Sequence, residues 1–180
     1  RLHRQYTTDS SSLTDRELAA YRRLVKKAES EILSKADVVC TTCAGAGDPR
    51  LSDLRFEHVL VDESTQAPEP ECLVPLVKGA RQLVLVGDHC QLGPVILSKA
   101  AVAAGFNRSL FERLILLGHQ PYRLQIQYRM HPALSVFPSN TFYDGLLQNG
   151  VSTSDRTPAR AVFDWPVPNA PMVFMSSTGV

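Results

Sequence analysis

The sequence predicts an α/β fold built on a parallel sheet, and three observations predict it. Two short apolar runs, His58 to Val61 and Gln82 to Val86, each stop abruptly at a carboxylate, Asp62 and Asp88. Runs with no polar face suit strands buried on both sides, as parallel sheets require. The segment between them is long enough for a loop, a helix and a return strand, the connection that parallel strands need. Helix-start signals recur on either side of the runs, at Thr14, Pro68 and Ser109.

Residues 1–12 are polar and rich in Ser and Thr, and are expected to form a loop. Thr14-Asp15-Arg16-Glu17 is a capping box, after which Leu18, Tyr21, Val25, Ala28 and Ile32 mark one face of a helix of about five turns. Its other side carries Arg22, Arg23, Lys26 and Lys27, either a stripe for a nucleic-acid backbone or, more commonly for such runs, a solvated face. Ala36 to Thr42 is expected to be a further buried strand. It opens onto Thr41-Thr42-Cys43-Ala44-Gly45-Ala46-Gly47, where small residues permit close backbone approach.

Pro68-Glu69-Pro70-Glu71 has the acids and prolines of a helix start, and Pro75 is expected to kink that helix. Glu69 and Glu71 read as surface residues favoured by the helix dipole. Residues 95–104 are small and apolar and should be helical until Gly105. Ser109-Leu110-Phe111-Glu112 is a second capping box, opening a helix that Gly118 ends, with Leu110, Phe111, Leu114 and Leu117 in the core. Tyr122 to Gln127 alternates like a strand, and His131 before Pro132 suits a cap or turn. Phe137 to Leu146 should pack a short helix, and residues 149–171 should be loop, with Trp165 either stacking a base or, more commonly for such a residue, serving as a packed anchor. Met172 to Met175 reads as one more strand.

A strand ending in Asp-Glu suits phosphoryl transfer. Asp62 can hold magnesium, through water, because that ion takes few protein ligands. Glu63 can act as general base on an attacking water, and Gln91 can send its amide toward a terminal phosphate. A lone Asp-Glu pair is more often a solvated turn; two strands ending in DESTQ and GDHCQL are harder to obtain by chance.

Asp62-Glu63-Ser64-Thr65-Gln66-Ala67, Gly87-Asp88-His89-Cys90-Gln91-Leu92-Gly93-Pro94-Val95 and Gln127-Tyr128-Arg129-Met130-His131-Pro132 together resemble motifs II, III and IV of superfamily 1 helicases. The wording is nearest to the Upf1-like branch, the ATP-dependent RNA helicases of nonsense-mediated mRNA decay. The resemblance covers nearly the whole chain and is weakest in the first thirty or so residues. It implies a RecA-like parallel sheet with helices on both faces, the P-loop NTPase helicase fold, incomplete here. It divides the chain into a helical insertion at 1–35, the C-terminal part of a first motor domain at 36–127 and the start of a second at 128–180.

The resemblance also implies ATP and magnesium as cofactors, with Asp62, Asp88, Gln91, Gln127, Tyr128 and Arg129 on the nucleotide. Arg129 would be an arginine finger on the terminal phosphate; read alone, it would more commonly be a structural ion pair. Thr42, Gly45 and Gly47 would grip single-stranded RNA, with DNA as the alternative. Decay and translation-termination factors would be partners and the cytoplasm the location. Rival readings are a related superfamily 1 DNA or RNA helicase and a nucleic-acid-binding scaffold with an inactive motor.

No G-x-x-x-x-G-K-[ST] occurs in the sequence, and the resemblance places that P-loop upstream. The chain alone is therefore expected neither to bind ATP well nor to unwind a duplex. The net charge of +1 leaves any nucleic-acid contact to a local groove. No apolar run is long enough to span a membrane. Cys40-x2-Cys43 is half of a zinc pattern without its second half, so Cys40, Cys43, Cys72 and Cys90 read as reduced thiols.

Overall fold

The computed structural model describes residues 2–8, 13–157, 163–167 and 170–177. Contacts divide the chain into two units, Arg1–Gly118 and His119–Val180. In the first unit the elements run α1 (Leu2–Thr8), α2 (Asp15–Ser34), β1 (His58–Val61), α3 (Glu69–Leu76), β2 (Gln82–Leu85), α4 (Lys99–Ala103) and α5 (Leu110–Leu116). In the second they run β3 (Ile126–Gln127), α6 (Pro132–Phe142), β4 (Gln148–Asn149) and α7 (Thr153–Arg156). The chain is an α/β fold with parallel pairing in each unit: β1 with β2, and β3 with β4.

α1 is a helix where a loop is expected over 1–12, and residues 1 and 9–12 lie outside the described residues. Its Tyr6 stacks on Tyr21 of α2 at 4.6 Å, and His3 Nδ1 lies 3.0 Å from the Tyr21 hydroxyl. Those aromatic contacts favour helix over the local Ser and Thr preference. The capping box of α2 is present in both directions: Thr14 accepts from the Glu17 N–H, and the Glu17 carboxylate accepts from the Thr14 N–H. The basic residues Arg22, Arg23, Lys26 and Lys27 are exposed, and Lys27 pairs loosely with Glu31.

Ala36 to Thr42 is not a strand. Among the described residues no neighbouring strand takes up its ladder bonds, and Val38 is exposed. The core of this unit is Val61, Cys72 and Leu110, joined by Val59, Leu76, Leu85 and Leu114. Val59 and Val61 of β1 thus face α3 and α5, while the alternate residues point away. Leu60 is 65 % exposed and Val84 52 %. Burial on both faces, expected from the apolar runs, holds on one face only, because no described element lies over the other.

α3 begins after Pro68, as predicted, and Pro75 sits in its last turn, where it ends the helix rather than bending its middle. Glu69 is not simply a surface acid. It receives both Nε and Nη2 of Arg113, at 2.6 and 2.7 Å, a two-pronged bond that ties α3 to α5. The capping box at Ser109 is half formed: Ser109 accepts from the Glu112 N–H, with no return bond from Glu112 among the described residues. Gly118 ends the segment with φ of 94°. Leu110 is buried, but Leu117 is 65 % exposed and lies outside the core. α4 is shorter than its apolar stretch, starting only at Lys99, and Gly105 closes it with φ of 84°.

In the second unit only Ile126–Gln127 of the predicted strand pairs; Tyr122 and Leu124 are almost wholly exposed. α6 starts at Pro132, earlier than the aromatic pattern suggests, because His131 caps it. Residues 149–171 are not all loop, since β4 reaches Asn149 and α7 forms one turn behind a Ser152–Asp155 capping box. Trp165 packs edge-on against Phe163 at 4.9 Å, and Pro158 and Pro168 lie outside the described residues. Met172 to Met175 is not a strand; those residues are irregular and largely exposed, with no described neighbour to pair with. No described helix is long and apolar enough to cross a membrane.

Leu110 fills the junction of β1, α3 and α5 at 5 % exposure. Leu110→Ala should lower stability by about 2–4 kcal/mol, measured as a shift of the urea midpoint at unchanged slope.

Candidate functional site

The site of the first unit grows from the register of its two strands. Val61 lies opposite Leu85, so both chains leave the sheet at the same edge and Asp62 and Asp88 follow on that edge. The turns beyond are joined. The Val86 carbonyl accepts both the Ser64 N–H at 2.8 Å and the Ser64 hydroxyl at 2.9 Å. The Thr65 hydroxyl accepts from the Asp88 N–H at 3.3 Å. Gly87 lies so near Thr65 that an added Cβ would meet its Cγ2 at 2.9 Å and its N at 3.1 Å. Ser64 and Thr65 are buried and do this joining.

Asp62 accepts from the Glu63 N–H through Oδ1 at 3.0 Å, and its other oxygen has no protein partner among the described residues. Glu63 has a φ of 51°, a left-handed backbone that is unfavourable for this residue type and tends to gather at functional sites. Its Oε2 accepts from the Gln66 amide at 2.9 Å. Asp88 closes its own turn: Oδ1 accepts from the Cys90 N–H at 3.0 Å and Oδ2 from the Gln91 amide nitrogen at 2.7 Å. Gln91 is thereby held with its second amide hydrogen and its carbonyl oxygen directed elsewhere. Asp62, Glu63, Asp88 and Gln91 therefore share one strand edge.

The predicted nucleic-acid loop winds into a 3-10 turn, Ala44–Gly47. Gly45 donates to the Thr42 hydroxyl at 2.9 Å, and a Cβ on Gly45 would stand 2.4 Å from Thr41 Oγ1. A side chain there would have to displace the Thr41 and Thr42 hydroxyls. A Cβ on Gly47 would meet Val74 of α3 at 3.4 Å, so the turn rests on that helix. Thr42 and Gly47 stay exposed and Gly45 is half-buried. Beyond the turn, Asp48 takes Arg50 through Nε at 3.0 Å and Nη2 at 2.9 Å, and Arg50 also reaches Glu29 of α2 at 3.5 Å. The Arg50 guanidinium holds the Asp48 carboxyl down at about 2. Behind the turn, burial raises the Cys72 thiol to about 11 and, more weakly, that of Cys43. Both thiols are therefore poor nucleophiles and poor metal ligands near neutrality.

The second unit presents Gln127, Tyr128 and Arg129 on a tight turn. Gln127 Oε1 accepts from the N–H groups of Arg129 and Met130, at 3.0 and 2.7 Å. Its amide nitrogen donates to the Met130 carbonyl at 3.0 Å and to Asn149 Oδ1 at 2.6 Å. The carboxamide thus fills the inside of the turn. Tyr128 is exposed, and the exposed Arg129 guanidinium has no hydrogen bond or ion pair among the described residues. His131 is a cap, as predicted: Nδ1 accepts from the Ala133 N–H at 3.1 Å, and Nε2 is buried without a partner.

Sequence reasoning missed Ser64, Thr65, Gly87, Asn149, Gly150 and Arg156. The only available signal was hydroxyl residues directly after the Asp62-Glu63 pair. Whether Asn149 and Arg156 touch residues 127–130 depends on the return of the chain through β4 and α7, which local pattern does not encode.

Two family models match, each described as an AAA domain, over residues 1–99 and 106–180. The chain is 57 % identical over 172 residues to a regulator of nonsense transcripts 1 homolog of Neurospora crassa, covering 96 % of this chain and 16 % of that protein. It is 57 % identical over 175 residues to the homolog of the same name from Arabidopsis thaliana, covering 97 % and 14 %. It is 62 % identical over 157 residues to the ATP-dependent helicase NAM7 of Saccharomyces cerevisiae, covering 87 % and 16 %. The chain thus spans only a small part of the length of the curated relatives it matches.

The Asp48–Arg50 pair supplies a pH test beside the Gly-rich turn. A carboxyl held below its ordinary 3.8 stabilises the folded chain above that value, and the contribution is lost as pH falls toward about 2. An NMR titration should find Asp48 protonating near pH 2. In Arg50→Ala the midpoint should move up toward roughly 3.9, the value of a free aspartate.

Proposed function

The chain belongs to the AAA-domain family, on the branch of the regulators of nonsense transcripts, and from that premise we propose that it carries the hydrolytic residues of an ATP-dependent RNA helicase. The observation that carries this reading is the shared strand edge, where Asp62, Glu63, Asp88 and Gln91 stand on turns bonded to one another. In open parallel sheets that edge is where ligands bind.

Glu63 is the general base. Its carboxylate is exposed, anchored through one oxygen by Gln66, and mounted on a backbone that the Asp62 carboxylate fixes. Such a group can take the proton from a water aligned on the terminal phosphate. Gln91, steadied by Asp88, turns its remaining amide hydrogen to that phosphate. The partner-free oxygen of Asp62 is a hard donor of the kind magnesium takes, directly or through water, so the residues fit the ion. Magnesium bound there supplies positive charge to the phosphates. Arg129, an unpaired cation on a fixed turn, gives charge to the terminal phosphate as the transition state forms. Gln127 and Tyr128 contribute to nucleotide binding with it.

Thr42, Gly45 and Gly47 offer hydroxyl and close-packed backbone to a sugar-phosphate chain, a mode of contact that does not read bases. Single-stranded RNA is the track in this reading. Decay and translation-termination factors are its partners and the cytoplasm its place; the support is kinship with regulators of nonsense transcripts.

The test uses the full-length protein that carries this chain. Glu63→Gln preserves size and left-handed backbone and removes the base. RNA-stimulated phosphate release should fall by a factor on the order of a hundred or more, with ATP binding retained. An unchanged rate sinks the assignment of Glu63, and an inactive wild type favours a scaffold with an inactive motor.

A further inference from the structure

A second cradle, made by residues 148–156, holds the outer side of the turn that carries Tyr128 and Arg129. Gln127 occupies the inner side and leaves the Tyr128 and Arg129 carbonyls outward. Both are taken by one side chain. Arg156 donates Nε–H to the Arg129 carbonyl at 3.0 Å and Nη2–H to the Tyr128 carbonyl. A guanidinium suits this because its donors lie in a rigid plane and can meet two successive carbonyls at once; an ammonium is a point donor.

The chain delivers Arg156 by a definite route. Gly150 donates its N–H to the Gln127 carbonyl at 2.9 Å, extending the β3–β4 ladder by one bond. Ser152 then starts α7, donating its N–H to the Asp155 carboxylate at 2.8 Å while its hydroxyl accepts from the Asp155 N–H at 3.3 Å. Arg156 is the last residue of that single turn. The carboxyl of Asp155 is held below its ordinary value by Ser152, so it stays ionised beside Arg156.

The same segment seats the Tyr128 ring. A Cβ on Gly150 would stand 2.2 Å from Tyr128 Cε1, 2.6 Å from Cδ1 and 2.7 Å from Cζ. The ring therefore rests on the Gly150 backbone, where no side chain fits, yet remains 60 % exposed. An aromatic ring fixed on its inner side and open outward, next to an unpartnered arginine on a backbone held from both sides, is built for contact with something outside the turn.

We infer that Arg156, with Gly150, is a positioning element that sets Tyr128 and Arg129 for the nucleotide triphosphate. It touches no substrate itself. The inference rests on the proposed ATP hydrolysis and adds residues that the motif does not contain.

Three variants of the full-length protein test it: Arg156→Ala, Arg156→Lys and Gly150→Ala. Each is measured for ATP affinity, for kcat and KM of RNA-stimulated hydrolysis, for single-stranded RNA binding without nucleotide, and for melting temperature. Arg156→Ala should lower kcat/KM roughly ten- to a hundredfold, the scale of a sub-ångström to ångström misplacement. RNA binding and melting temperature should stay near wild type. Arg156→Lys should recover part of the loss, since one carbonyl can still be met. Gly150→Ala, which displaces the ring and leaves Arg156 intact, should weaken ATP binding more than it slows turnover.

Wild-type kinetics in Arg156→Ala or in Gly150→Ala overturn the inference, as does a loss that follows melting temperature in all three variants. An active wild type that Glu63→Gln leaves unchanged tells against the assignment of Glu63 alone. A wild type that neither binds nor hydrolyses ATP removes the underlying reading and the inference with it.

Discussion

The Val86 carbonyl is the point on which the first unit depends. It accepts both the amide and the hydroxyl of Ser64, a buried residue one position beyond the Asp62-Glu63 pair. Parallel pairing alone aligns β1 with β2 but does not fix the chains once they leave the sheet. This double acceptance does. With Thr65 held against Gly87 and the Asp88 N–H, the two acidic turns become one body. A buried polar group left without its partner costs about 1–3 kcal/mol, so the turns cannot part cheaply.

The second unit solves the same problem differently. Among its described residues the named strands form one two-residue parallel pair, and side chains supplement the ladder bonds. Gln127 stands in for backbone on the inside of the 128–130 turn, and Arg156 does so on the outside. Asn149 links this turn to α6, since its Oδ1 accepts from both Gln127 and the Ser135 hydroxyl. In each unit the side chains proposed for function project from turns held by hydrogen bonds.

Much of this was legible in the sequence for a physical reason: it is local. The Thr14 box, the Pro68 start, the Gly105 and Gly118 stops and the His131 cap each depend on residues within a turn of one another. The strand-end position of Asp62 and Asp88 was legible because apolar runs are limited by burial. What failed was not local. Ala36 to Thr42 and Met172 to Met175 have strand composition, but a strand exists only with a partner, and no described residue supplies one. Glu69 looked like a dipole-favoured acid because its partner, Arg113, is far away in sequence. α1 formed because Tyr21, in the next helix, gave Tyr6 a ring to stack on.

Glu63 and Arg129, the proposed base and arginine finger, show what local pattern carries and what it does not. The residue types were readable; the states of their backbones were not. Glu63 sits at a φ that an L-residue with a long side chain adopts at a penalty of order 1 kcal/mol or more. The surroundings that hold it there are the Asp62 carboxylate on its N–H and the Ser64 bonds one residue later. Arg129 is unstrained but held on both sides by Gln127 and Arg156. In each case the side chain proposed for the chemistry inherits its direction from a backbone that other residues have fixed. Ser64 in the first unit and Arg156 in the second therefore matter to the placement of Glu63 and of Arg129 respectively, although no motif of charged residues marks them.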